Sequence, residues 1–352
     1  MKIALLCHFS PPVHGAALVG DRVFALLSKR HQVYRHRLSD NRSLIQIGKI
    51  KFALLRELCQ KLYWLIDVIF VKKVSAVYIT PALDGNAYWR DVLLVLFVKV
   101  TRKLVRHRVH LLLHVHMRPR RARTKGLVWR LFVSNSELIL LLPVLRQDFS
   151  CLPASTVLKY LGNCVDPLNR VSPIIPGRLL YIGHLSMGKG IVFLIEQLKA
   201  AIGRYPNIYK DVSVDIAGTL LIDEKTFLKK IGLLQSLGMA VTYHGAVIGS
   251  DKAVLFSKAQ LLIQPSFSEA QPLTIMEAFS IGLPVLARSV GGMAEMVTKR
   301  NGVLFSADED FLINLNAALR HPFSQKDITA DFNVLYTDKK FEAELENVFK
   351  DI

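Results

Sequence analysis

A chain of 352 residues is longer than one hydrophobic core usually supports, so two domains are expected. With 51% hydrophobic and 21% charged residues it is globular rather than disordered, and no apolar run reaches the roughly 18 residues of a membrane span. The net charge of +18 sits entirely in the first half: residues 1–170 hold 28 Lys+Arg and 9 Asp+Glu, whereas residues 171–352 hold 18 and 19.

The opening MKIALLCHFSPP has too short an apolar core for a signal peptide and is broken by His8 and the proline pair, so residues 2–8 are expected as a buried first strand. The turn-rich residues 10–15 and a helix through Arg30 follow. Further strand-like runs lie at 75–80, 107–116 and 137–142, separated by longer stretches at 49–73, 86–104 and 120–133. Such β-α alternation predicts a parallel sheet covered on both faces. Residues 165–177, with Pro167, Pro173 and Pro176, read as the linker. The pattern then restarts, with strands expected at 178–183, 212–218, 239–245, 260–266, 283–288 and 302–305, and an amphipathic helix at 339–349. Four cysteines, Cys7, Cys59, Cys151 and Cys164, show no paired spacing, which fits unpaired thiols in a reducing cytoplasm.

The strongest constellation is SFSEAQPLTIMEAFSIGLPVLA at 266–287. Glu269 follows an apolar strand, and Glu277 comes after seven intervening residues. Pro272 stands where a helix would begin, because its missing N–H costs nothing there. The N–H groups just after it would be helix-start donors suited to a diphosphate. Glu277 would lie about a turn and a half into that helix. Two acids at this spacing are ordinary by themselves; the flanking strand, the proline and the following GLPVLA make them a motif.

This segment resembles the E-x7-E signature of the retaining glycosyltransferases of family 4. YIGHLSMGKG (181–190), VDIAGTL (214–220), YHGAVIGSDKAVLFSKAQLLIQPS (243–266), VGGMAEMV (290–297) and, more loosely, FSPPVHGAALVG (9–20) agree with that resemblance. It implies a GT-B fold, two doubly wound Rossmann-like domains facing a central cleft. Residues 1–168 would bind the acceptor, residues 169–331 the donor, and residues 332–352 would form a helical tail packing back toward the N-terminal domain.

The resemblance also assigns roles. Glu277 would bind the donor ribose, Glu269 the sugar hydroxyls, and Lys189 the diphosphate. Gly183, His184, Gly218, Pro272, Leu273 and Thr274 would complete the donor site, with Gly15 in a loop approaching it. His116, at the end of LLLHVHM, would face the sugar, with His114 the competing candidate on the same side of the strand. Three positions depart from the family pattern. His184 stands in place of arginine, Glu269-Ala270-Gln271-Pro272 in place of Glu-Gly-Phe-Pro, and Met117 in place of glycine. The implied reaction is retaining transfer from a nucleoside-diphosphate sugar to a glycan or lipid-linked acceptor in bacterial surface polysaccharide synthesis, with no cofactor and no metal. Asp308-Glu309-Asp310 spells Asp-x-Asp, but it stands at an expected helix start, where acids complement the dipole.

Competing readings are an epimerase or phosphorylase on the same fold, a nucleic-acid-binding protein, and a catalytically silent member of a membrane assembly. The basic clusters lack interleaved aromatics for base stacking, which disfavours nucleic acid. An anionic membrane is the first partner expected for the basic half and a phosphate-bearing acceptor the next, with His114, Arg118, Arg120 and Arg121 as acceptor or membrane candidates. The segment 52–73, containing Tyr63 and Trp64, is the candidate interfacial helix, and the expected location is the inner face of the plasma membrane.

Overall fold

A computed structural model describes residues 1–11, 15–38, 50–119, 123–149, 151–306 and 311–352. The chain forms two compact units, one of Met1–Asn163 with Phe341–Ile352 and the other of Cys164–Lys340.

The first unit is built on six parallel strands: β1 (Lys2–Cys7), β2 (Gln32–Arg37), β3 (Ala76–Ile79), β4 (His110–Val115), β5 (Glu137–Leu140) and β6 (Val157–Tyr160). They lie in the order β2-β1-β3-β4-β5-β6. The inner strands are apolar on both faces and almost wholly buried, as sheets covered by helices require. Helices α1 (Gly15–Ser28), α2 (Ile50–Ile66), α3 (Gly85–Leu104) and α4 (Leu127–Val133) connect them. At the start of α3 the Asp84 carboxylate accepts from Gly85 N at 2.7 Å, and Arg102 and Lys103 complement the dipole in its last turn.

The second unit repeats the plan with β7 (Arg178–Ile182), β8 (Ser213–Ala217), β9 (Ala240–Tyr243), β10 (Leu261–Gln264), β11 (Val285–Arg288) and β12 (Gly302–Phe305). Their order is β12-β11-β10-β7-β8-β9, again all parallel. The direction of strand addition reverses between β7 and β10, and open parallel sheets bind ligands at such a switch point, beyond the strand carboxyl ends. The helices are α5 (Ile191–Arg204), α6 (Pro206–Tyr209), α7 (Glu224–Ser236), α8 (Gly249–Lys258), α9 (Leu273–Ser280), α10 (Met293–Met296), α11 (Phe311–Arg320) and α12 (Gln325–Leu335).

The last helix, α13 (Asp338–Phe349), buries Phe341, Leu345, Val348 and Phe349 along one stripe. The Phe349 ring stacks on Tyr78 with centroids 6.2 Å apart, and Lys159 Nζ donates to Val348 O at 2.6 Å. Gly162 N donates to Glu344 Oε2 at 3.2 Å. These contacts hold the end of the chain in the first unit.

Two strands escape the sequence reading, β2 (QVYRHR) and β6 (VLKY). Both are edge strands of the first sheet, and their half-exposed residues break the apolar run that marks the inner strands.

Candidate functional site

The site begins where β7 ends. After Ile182 the chain turns through a short 3-10 segment, Met187–Lys189, in which Ser186 Oγ accepts from Lys189 N at 3.4 Å. Gly190 then takes φ +76°, and a Cβ there would lie 2.5 Å from Pro265 O, so only glycine lets this turn press against the chain leaving β10. Phe267 N donates to Gly188 O at 3.0 Å and closes the same contact. Lys189 Nζ consequently reaches Glu269 Oε1 at 2.7 Å. Two residues far apart in sequence are thus paired across the switch point.

Gln264, the last residue of β10, links that pair to helix α9. Its amide donates to Glu269 Oε1 at 3.2 Å, and its carbonyl oxygen accepts from Thr274 Oγ1 at 3.3 Å. The helix starts at Leu273, one residue later than expected, with Pro272 as its N-cap and no side chain capping it. The first-turn N–H groups of α9 therefore lack both intrahelical acceptors and a side-chain acceptor from the cap.

Glu277 lies further along α9 and is only 9% exposed. Lys252, on α8, donates to its Oε1 at 2.6 Å. Its other oxygen, Oε2, is buried without a hydrogen-bond partner among the described residues. Burial raises the carboxyl pKa above its ordinary value, and Lys252 partly offsets the rise. A buried carboxylate oxygen without a donor is costly unless a ligand hydroxyl supplies one.

The opposite margin is formed by two glycines at adjacent strand ends. Gly183 has φ +149° and Gly218 φ +140°, and a Cβ on Gly218 would fall 1.7 Å from Gly183 O. Gly218 N donates to Gly245 O at 2.6 Å, which continues the close approach past β9. The His184 ring is exposed, while its carbonyl accepts from Tyr181 Oη at 3.1 Å.

The candidates of the first unit fare unevenly. Gly15 opens α1 and is exposed, whereas the glycine this corner cannot do without is Gly20, whose Cβ would meet His8 O at 2.0 Å. His114 is fully buried in β4; Nε2 donates to Leu161 O at 3.1 Å, and Nδ1 accepts from Tyr78 Oη. Its ring is part of the core and presents nothing to an acceptor or a membrane, so His114 is withdrawn as a candidate. His116 is half-buried just beyond the strand, with Nε2 at 3.2 Å from His114 Nδ1. Desolvation, then the neighbouring His8, push its pKa down to about 3, so the ring is neutral at physiological pH. Arg118 gives its fork to the buried Asp148, with two bonds of 2.7 Å, which also corrects its candidacy as a free cation. Arg120 and Arg121 lie outside the described residues, as do Asp308, Glu309 and Asp310.

Sequence reasoning missed Lys252 and Gln264, and it included Gly190 in the 181–190 match without giving it a role of its own. Lys252 is one of many helical lysines and Gln264 the polar end of an apolar strand; only the fold brings them to the two acids. It also missed Arg288, a buried guanidinium 4.4 to 4.8 Å from the ring centroids of Phe193, Phe267 and Phe305.

Residues 176–321 match the family described as glycosyl transferases group 1. D-inositol 3-phosphate glycosyltransferase of Arthrobacter sp. (strain FB24) is 32% identical over 127 residues, covering 36% of this chain and 30% of that protein. The match thus spans less than a third of that relative's length. The lipopolysaccharide outer core galactosyltransferase WaaB in its apo form is similar over 100% of both chains, with a TM-score of 0.71 at 16% identity. Anabaena Alr3699/HepE in complex with UDP-glucose gives a TM-score of 0.70 at 17% identity, also over 100% of both chains. The architecture is accordingly the GT-B fold, and within it residues 176–321 are the part that matches the group 1 glycosyl transferase family.

Proposed function

We propose that this protein is a retaining glycosyltransferase that moves a sugar from a nucleoside diphosphate to a glycan or lipid-linked acceptor, in bacterial surface polysaccharide synthesis at the inner face of the plasma membrane. The observation that carries the reading is the arrangement around α9. An unpartnered buried carboxylate oxygen on Glu277, an uncapped helix start and the Lys189–Glu269 pair all follow the carboxyl ends of β7 and β10, the strands that flank the switch point. Ribose hydroxyls would donate to Glu277. The diphosphate would take the helix N–H groups and Lys189, whose compact ammonium suits a delocalised anion. Glu269 would then hold the sugar hydroxyls beside the anomeric carbon.

The transfer follows from these roles. The leaving diphosphate accepts the acceptor's proton on the face it departs from, while the sugar passes through an oxocarbenium-like state. Catalysis is then positioning and stabilisation of leaving-group charge. The deciding experiment offers a panel of nucleotide sugars, UDP-glucose first, with and without a lipid-linked or glycan acceptor. Acceptor-dependent release of nucleoside diphosphate is expected. Release that needs inorganic phosphate instead of the acceptor would favour a phosphorylase, and interconversion of the nucleotide sugar an epimerase.

Two further outcomes are expected. Lys189→Ala removes a charge-assisted contact worth about 1.5–3 kcal/mol, which is roughly 10- to 100-fold in donor affinity. The exposed His184 ring stands where the family has arginine, so that guanidinium is not there to compensate. Calorimetric titration with the nucleoside diphosphate checks this, and wild-type affinity would misplace the phosphate. Because Lys189 and the α9 terminus supply the countercharge, exhaustive chelation with EDTA is expected to leave transfer at the wild-type rate. Loss of activity restored by a divalent cation would refute metal independence.

A further inference from the structure

The outer helices of the first unit have faces that a monomer in water does not need. Right-handed crossovers place α2, α3 and α4 on one face of the sheet, and α3 packs between the other two. Tyr88, Val92, Val95 and Val98 of α3 turn inward, which accounts for one apolar stripe. Its outward side should then be polar, as on a surface helix. Instead it carries Trp89 and Leu93, each 54% exposed, and Leu104, 69% exposed. The neighbours extend this surface, with Tyr63 at 75% and Ile66 at 42% on α2 and Leu127 at 71% on α4. Exposed apolar residues recurring on three adjacent helices mark an interaction surface rather than scattered hydrophobics.

The charges around that surface have one sign. Residues 50–149 contain six acids, and none is in the exposed class. Asp91, Glu137 and Asp148 are buried and paired with Arg90, Lys159 and Arg118, while Glu57, Asp67 and Asp84 are half-buried. By contrast Lys103, Arg106, Arg108, Lys125 and Arg130 are all exposed, at the end of α3 and along α4 and the turn before it. The expected interfacial segment 52–73 needs amending on one point: Lys61 is buried against Glu57 and contributes nothing to the surface. No described helix is long and apolar enough to cross a bilayer, so the face can lie on a membrane but not span it.

We infer that the α2–α3–α4 face seats the protein on an anionic lipid surface, its aromatic and aliphatic residues at the headgroup boundary and its lysines and arginines on lipid phosphates. This chemistry suits an interfacial surface, with Trp89 and Tyr63 where amphipathic rings are favoured. A second copy of the chain is the poorer occupant, because a two-fold contact would set this basic rim against itself.

Flotation of the full chain with phosphatidylcholine vesicles, with and without phosphatidylglycerol, tests the inference. Binding is expected only with the anionic lipid, and it should fade as the Debye length falls from about 10 Å at 0.1 M salt to about 3 Å at 1 M. The double variant Leu93→Glu/Leu104→Glu should lower the bound-to-free ratio at least about tenfold without unfolding, since both side chains already meet water. Arg106→Glu/Arg108→Glu should do so by about the same factor. Leu228→Glu/Leu237→Glu, exposed positions in the second unit, should bind as wild type. Equal binding to neutral vesicles, no binding to anionic ones at low salt, or equal losses in the second-unit control would overturn the inference. So would a wild-type dimer that Leu93→Glu/Leu104→Glu splits into monomers.

Discussion

Glu269→Ala is expected to lower turnover about 100- to 1,000-fold, the range seen when one preorganised polar contact to a transition state is removed. Its affinity for free nucleoside diphosphate should stay at wild type or rise. The reason is the pairing: Lys189 Nζ sits 2.7 Å from Glu269 Oε1, so removing the acid releases the lysine's charge for the phosphates. Glu277→Ala should behave differently. Its unpartnered Oε2 is proposed to meet the ribose, which free nucleotide and nucleotide sugar share. Both ligands should therefore bind more weakly by roughly 10- to 100-fold, from the loss of a hydrogen bond to a charged acceptor. Initial rates and calorimetric titrations on the two variants separate the roles. Identical losses of nucleotide affinity in both would defeat the assignment.

Much of the architecture is legible in the sequence because a parallel strand covered on both faces is apolar throughout. All six strands of the second unit were expected within two residues at each end, and the four inner strands of the first within three. The two misses, β2 and β6, have one covered flank fewer and carry Arg35, Arg37 and Lys159 in the strands themselves. The acids of the site are equally legible, since a carboxylate beside a proline-initiated helix is a local pattern. Their partners are not. Lys252 and Gln264 reach the two acids only because α8 and β10 converge on α9, and convergence is a property of packing rather than of spacing. The basic half shows the limit from the other side. Composition counts Arg118 with its neighbours, but the fold commits it to Asp148 and leaves the cations around α3 and α4 exposed. Charge balance therefore only raises the expectation of a partner, and burial selects which residues could meet one.

Gly218→Ala is expected to destabilise the second unit by about 3–5 kcal/mol, the sum of a strained backbone and an overpacked contact. Gly218 holds φ +140°, a region that residues with a Cβ rarely enter, and its Cβ would lie 1.7 Å from Gly183 O. That oxygen belongs to the backbone at the end of β7, so it cannot rotate away as a flexible side chain would. Relief requires β7 and β8 to part at their carboxyl ends, beside the turn that carries Lys189. For a unit of this size each kcal/mol shifts the melting temperature by roughly 2–4 °C, so a fall of about 10 °C is expected, together with weaker nucleotide binding. Gly232→Ala provides the opposite sign. Gly232 lies on the exposed side of α7, and a Cβ there meets nothing within 4 Å. Alanine should stabilise that helix by about 0.8–1 kcal/mol through its higher helix propensity. Thermal melts of both variants decide the matter: if Gly218→Ala melts with the wild type, the two strand ends do not approach as closely as the site requires.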